Sequence, residues 1–192
     1  MILASASPRR KELLSNAGYD LVIEPADVDE TRLEGESPCQ LVQRLAELKA
    51  DACLKTHGLL KPGHTLLAAD TIVWMGTEAL GKPRNADDAR RMLRELSGKT
   101  HHVSTGVCLM RGTPSGVDQR SFVETTDVTF KDLTDAEIDA YVATGEPLDK
   151  AGAYGIQGGA GAFVARLKGD YNNVVGLPVR RVQDVLSRPD FA

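Results

Sequence analysis

The chain has 192 residues, 42% of them hydrophobic and 26% charged, with a formal net charge of −4. That much apolar sequence can bury a sizeable core, as one domain or as two small lobes sharing a sheet, and it excludes the disordered and fibrous classes. The acidic balance offers no basic stripe to a nucleic-acid backbone or an anionic membrane, so any functional cations must act locally. Cys39, Cys53 and Cys108 are odd in number and widely spaced, which suits neither a disulfide framework nor a zinc cluster and points to a reducing cytoplasm. No apolar run approaches the ~20 residues that span a bilayer, and no secretory leader pattern is expected.

Residues 3–10, LASASPRR, read as a short strand running into a helix. Ser7 is a favourable N-cap and Pro8 a favourable first helical residue. Arg9 and Arg10 then set two cations beside the positive end of the helix dipole, at a cost of about 0.3–1 kcal/mol each. A bound anion reverses that sign, so Ser5, Ser7, Arg9 and Arg10 are candidate phosphate ligands. Solvated arginines on a surface helix are the alternative. The helix should reach Asn16 with Leu13 and Leu14 inward, closed by Gly18. A strand at 21–24 and an acidic loop with Asp27, Asp29 and Glu30 follow.

Ser37, Pro38 and Gln40 form a capping-box pattern for a helix over 38–56 that buries Leu41, Val42, Leu45, Leu48, Ala52 and Cys53. Lys49 falls inside or at the border of that apolar stripe. Its stem must therefore snorkel to water or its ammonium must meet an anion. Residues 58–65, GLLKPGHT, nearly spell a P-loop, but His64 stands where the lysine belongs and a strand follows, so the match is rejected. That strand, 65–75, interrupts its apolar run with Asp70-Thr71. A carboxylate in buried-strand sequence needs a cation, a metal or dense hydrogen bonding. Asp70 is a functional candidate, with structural pairing to an arginine as the alternative.

A turn at Gly76-Thr77 leads to a strand at 78–80 and to Gly81-Lys82-Pro83, where Lys82 is a candidate pre-positioned cation. Asn85 caps a helix ended by Gly98, with Ala89, Met92, Leu93 and Leu96 inward. Residues 99–110 and 120–130 alternate as two antiparallel strands joined by a loop at 111–119. The adjacent His101 and His102 should point to opposite faces, a poor arrangement for a metal. Thr134 and Glu137 form a second capping box for a helix ending at Thr144. Residues 149–161 are glycine-dense without a GxGxxG pattern, so no dinucleotide site is implied. A strand at 162–167, a polar loop at 169–173 and a helix at 178–187 complete one mixed α/β unit with a pocket on one side of its sheet.

These candidates are the equipment for attacking a polyphosphate: Arg9, Arg10, Lys49 and Lys82 as cations, Glu30 and Asp70 as carboxylates that can hold a divalent metal or activate water. The chain also resembles, nearly end to end, the Maf family of nucleoside triphosphate pyrophosphatases. The resemblance rests on LASASPRRKELL at 3–14, AADTIV at 68–73, GKP at 81–83, STGV at 104–107, GEPLDKAGAYGIQG at 145–158 and GDYNNVVGLPV at 169–179.

It implies an ITPase-like, two-lobed single domain over residues 1–192, with a twisted central mixed sheet, flanking helices and a cleft. It further implies a cytoplasmic, often homodimeric enzyme that splits a nucleoside triphosphate into the monophosphate and pyrophosphate with Mg²⁺ or Mn²⁺, without nucleic-acid or membrane partners. Asp70 matches the catalytic carboxylate; from the residues themselves, Glu30 and Asp70 are the expected metal ligands. Arg10, Thr71 and Gln157 match the positions tied to substrate choice, and the motifs look like the dTTP/UTP branch rather than the 7-methyl-GTP branch. A glutamine amide can read the N3–H and neighbouring carbonyl of uracil or thymine, which does not exclude CTP or modified pyrimidines. The competing readings are a phosphatase, a pyrophosphatase for 7-methyl-GTP, and a non-catalytic nucleotide-binding regulator of septum formation.

Overall fold

The computed structural model describes residues 1–191. Seven strands form one mixed sheet: β1 (Ile2–Leu3), β2 (Val22–Ile23), β3 (Thr65–Met75), β4 (Glu78–Leu80), β5 (Thr100–Thr113), β6 (Gly116–Phe130) and β7 (Val164–Lys168). Their order is β2-β1-β3-β5-β6-β7, with β4 paired to β3. β1 runs parallel to β2 and β3, whereas β4 and β7 run antiparallel to β3 and β6. The helices are α1 (Pro8–Asn16), α2 (Pro38–His57), α3 (Ala86–Leu96), α4 (Asp135–Ala143), α5 (Tyr171–Val175) and α6 (Val179–Leu186). This is the mixed α/β class that the sequence implies. No helix among the described residues is long and apolar enough to cross a membrane.

The chain divides into two compact units, one made of Met1–Thr71, Thr105–Glu124 and the C-terminal stretch from Gly176, the other of Ile72–Ser104 and Thr125–Val175. In the first unit the two-residue alternation of β3 and β5 separates two apolar clusters. Leu67, Ala69, Val107 and Leu109 pack with Leu14 of α1 and with Val179, Val182 and Val185 of α6. Leu66, Ala68, Cys108 and Met110 pack instead with Ala46, Ala50 and Cys53 of α2. Continuing that alternation puts Asp70 on the α2 face and Thr71 on the α1 face. Gly106 lets α2 lie directly on β5, because a Cβ there would collide with the Val42 carbonyl.

The second unit is built around aromatic side chains. His101, Phe130 and Tyr154 meet edge to face with ring centroids 4.9–5.3 Å apart, and Phe163 links Phe130 to Tyr141 of α4. As the strand period requires, His101 is buried while His102 lies half-exposed against Asp127 at 2.8 Å.

Several sequence expectations need correction. Leu48 is 39% exposed, and the α2 stripe runs through Ala46 and Ala50 instead. The hairpin between β5 and β6 closes over Pro114 and Ser115 alone, since both strands extend through sequence that does not alternate. Backbone ladder bonds are indifferent to side-chain polarity where the strands are exposed, so the pattern hid them. The segment expected as polar loop holds α5, started by Asp170 accepting from the Asn172 N–H at 2.7 Å. The strand before it begins at Val164 rather than 162.

Candidate active site

The end of β3 that belongs to the first unit gathers most of the residues singled out above. Lys49 lies on α2 two turns beyond Val42, and its Nζ donates to Asp70 Oδ1 at 2.7 Å and sits 2.6 Å from Glu30 Oε1. The lysine at the edge of the apolar stripe thus meets anions rather than snorkelling to water. Lys49 and Asp70 side chains are 13% and 17% exposed, and Glu30 is 60% exposed. The one ammonium meets both carboxylates; at the mostly buried Lys49 and Asp70 an unpaired charge would cost several kcal/mol, whereas Glu30 is largely solvated.

The other face of β3 holds the arginine of α1. Arg10 donates from Nε to the Gly176 carbonyl at 2.9 Å, from Nη1 to Ser5 Oγ at 3.1 Å and from Nη2 to Thr71 Oγ1 at 2.9 Å. Burial lowers the Arg10 pKa, opposed by the nearby Asp70 charge. Ser7 caps α1, its Oγ accepting from the Arg10 N–H, while Ser5 Oγ accepts from the Ser7 N–H at 3.2 Å. Arg9 is exposed and makes no hydrogen bond or ion pair among the described residues. One turn of helix therefore offers one arginine locked into the structure and one free for an anion.

Lys82 and Gln157 belong to the second unit, and both are exposed. Lys82 follows β4, on a segment tied down where the Gly152 N–H donates to the Gly81 carbonyl at 3.0 Å. Gln157 sits in the glycine-dense segment, which forms short 3₁₀ turns at Glu146–Asp149, Ala151–Ala153 and Gly159–Phe163.

Sequence reasoning missed three supports of this arrangement. Thr105 is fully buried, its Oγ1 2.9 Å from Thr71 Oγ1, and the Thr71 hydroxyl also reaches the Gly176 carbonyl at 3.3 Å. Arg44 of α2 holds the acidic loop: it grips the Glu36 carboxylate with two bonds at 2.6 and 2.9 Å and donates to the Thr31 carbonyl, beside Glu30, at 3.0 Å. That grip is the main reason the Glu36 pKa falls to about 2. Eight residues separate Glu36 from Arg44, a spacing with no meaning until the loop folds back on the helix. A cavity of the first unit, about 600 Å³ and lined in part by Tyr19, His57, Lys61 and Arg111, includes none of the candidate residues.

The fold and this cluster define an α/β protein with a charge-compensated site at adjacent residues of a central strand. The family model described as "Maf-like protein" matches residues 1–189. A dTTP/UTP pyrophosphatase of Anaeromyxobacter dehalogenans (strain 2CP-C) is 52% identical over 191 residues, covering 100% of this chain and 94% of its own. A dTTP/UTP pyrophosphatase of Pseudoalteromonas atlantica is 49% identical over 192 residues, with 100% and 98% covered. One from Bacillus cytotoxicus is 49% identical over 189 residues, with 98% and 95% covered. The chain belongs to the Maf family.

Proposed function

We propose that this protein hydrolyses dTTP and UTP to the nucleoside monophosphate and pyrophosphate. The observation that carries the reading is the meeting of Glu30 and Asp70 on the single Lys49 ammonium, in a chain half identical to full-length relatives named for that activity. Two carboxylates that converge on one cation can also share a divalent metal. No cluster of three or more metal-ligating side chains exists among the described residues. The donor set that remains is a carboxylate pair, whose chemistry suits a hard cation such as Mg²⁺ or Mn²⁺ that takes one or two carboxylates and completes its shell with waters and substrate phosphates. When bound there, such an ion supplies charge neutralisation on the triphosphate and a more acidic water.

The chain's own residues do the rest. Asp70 orients the attacking water and takes its proton at a carboxylate oxygen as the water oxygen bonds to the α-phosphorus and the bond to the pyrophosphate leaving group breaks. Lys49 keeps the two carboxylates together while substrate is absent and turns to the phosphates when it arrives. Arg9, Lys82 and the Ser5 and Ser7 hydroxyls bind phosphate oxygens, where preorganised donors offset the growing negative charge of the leaving group. Arg10 supports Thr71 and Ser5 from behind, with two of its five N–H groups left for a phosphate. Gln157 reads the pyrimidine edge. Its assignment, like that of Lys82, rests on the family motif it occupies. A cytoplasmic homodimer is proposed on the sequence resemblance alone.

A panel of canonical and modified nucleoside triphosphates with Mg²⁺, read by product identification, tests this function. Pyrophosphate and monophosphate should appear, fastest from dTTP and UTP, and Gln157→Glu should weaken both. Orthophosphate as the product, or equal rates on purines, contradicts the reading.

A further inference from the structure

Glu146, in the second unit, forms an arrangement that the mechanism leaves unused. Its carboxylate accepts from the Tyr141 hydroxyl at 2.9 Å and from the Gly159 N–H at 3.2 Å. The same tyrosine oxygen accepts from the Gly155 N–H at 3.1 Å. One Glu–Tyr pair therefore holds two peptide N–H groups, one two residues before Gln157 and the other two residues after it. Gln157 itself is exposed between them.

The glycines of this turn are shaped to the carboxylate. A Cβ on Gly158 would collide with Glu146 Oε1, one on Gly155 would come within 3.1 Å of that atom, and one on Gly159 would stand 3.2 Å from the Tyr141 ring. The anchor is stiff: Tyr141 is a buried residue of α4 packed edge-on to Phe163 at 5.2 Å. Lys150 closes the base of the turn, its Nζ donating to the Glu146 carbonyl at 3.0 Å. Backbone hydrogen bonds from Gly158 to Gly155 and from Gly161 to Gly158 make the turn itself, but neither ties it to the rest of the unit. Glu146 and Tyr141 supply the hydrogen bonds that do, beside the packing of the buried Tyr154, Ile156 and Ala160.

We propose that Glu146 is a positioning residue for base selectivity, which with Tyr141 clamps residues 155–159 so that Gln157 is presented in one orientation. The proposal rests on the reading of Gln157 as the base contact. A side chain on a glycine-rich turn can discriminate between bases only if the turn is held, because an untethered turn loses in ordering what its hydrogen bonds return.

The test measures steady-state pyrophosphate release from dTTP, UTP, dATP and dGTP by the full chain and its Glu146→Ala, Glu146→Gln, Tyr141→Phe and Gln157→Ala variants. Amide hydrogen exchange is read at Gly155 and Gly159. Glu146→Ala should raise the KM for dTTP about tenfold, the equivalent of one well-made hydrogen bond, with a much smaller change in kcat. Its preference for pyrimidines should shrink toward that of Gln157→Ala, and combining the two substitutions should add nothing further. Both glycine amides should exchange faster. Glu146→Gln, which keeps an acceptor for the Gly159 N–H, should recover most of the preference, whereas Tyr141→Phe should release Gly155 alone. An unchanged preference in folded Glu146→Ala, beside a lost one in Gln157→Ala, overturns the clamp and leaves the base reading intact. An unchanged preference in Gln157→Ala overturns both.

Discussion

Lys49 shows how a single residue can settle a charge problem before substrate arrives. Its ammonium stands between Glu30 and Asp70 at 2.6 and 2.7 Å, the two carboxylates that would hold a divalent cation. In Lys49→Gln the mostly buried Asp70 loses its ammonium while Glu30 stays beside it, so the apo protein should lose roughly 2–3 kcal/mol, and added Mn²⁺ should raise its melting temperature more than that of the wild type. Equal Mn²⁺ shifts in the two proteins contradict a cation held by those carboxylates. His101 makes a separate prediction about pH. Burial, helped by the neighbouring His102, pushes its pKa down to about 4 from an ordinary 6.5. The unfolded chain therefore takes up a proton below pH 6.5 that the folded chain refuses, and stability should fall with acid from about pH 6.5 to about pH 4. Between pH 7.5 and 5 this one group accounts for about 2 kcal/mol. His101→Gln, whose amide can still bond the Tyr154 hydroxyl, should lack that part of the acid limb in denaturant melts. An identical limb would show that other groups cause it.

At the scale of elements, the site is the meeting of two helices with two faces of one strand. β3 alternates Leu66, Ala68 and Asp70 toward α2, and Leu67, Ala69 and Thr71 toward α1, so adjacent residues receive Lys49 from one helix and Arg10 from the other. The height of α2 over the sheet depends on Gly106. Gly106→Ala would drive a Cβ into the Val42 carbonyl, two turns before Lys49. Overpacking against backbone should cost about 1–3 kcal/mol, and dTTP turnover should fall with it as Lys49 moves off Asp70. A melting temperature equal to the wild type's would contradict the close approach. What was legible in the sequence was local. The caps at Ser7, Ser37, Asn85 and Thr134 and the starts of four helices follow from residues within one turn. Leu48 and α5 were misjudged because tertiary packing decides which side of a wide apolar stripe is covered, and whether a polar segment coils.

For the whole molecule, the sequence made legible which residues need a partner, and the illegible part was who holds whom. Asp70 stood out because a carboxylate in buried-strand sequence needs a partner, yet only the strand register shows that the partner is Lys49. Arg10 reaches across 166 residues to the Gly176 carbonyl, and Thr105 supports Thr71 from another strand. No local pattern encodes either contact. Thr71, Thr105 and Gly176 also stand where segments of the first unit end or begin, so its three stretches of chain are knotted together around Arg10. The net charge of −4 belongs to this scale as well: a substrate as anionic as a nucleoside triphosphate must be drawn to a local cluster of cations rather than to the surface at large. The role proposed for this cluster is release of pyrophosphate through Asp70. It is tested most directly by the rate of pyrophosphate release from dTTP with Mg²⁺, measured for the wild type and for Asp70→Asn shown to be folded by its melting curve. Asp70→Asn should lose about 10²–10⁴-fold in kcat, the contribution of a general base; turnover near the wild-type rate would rule out that role.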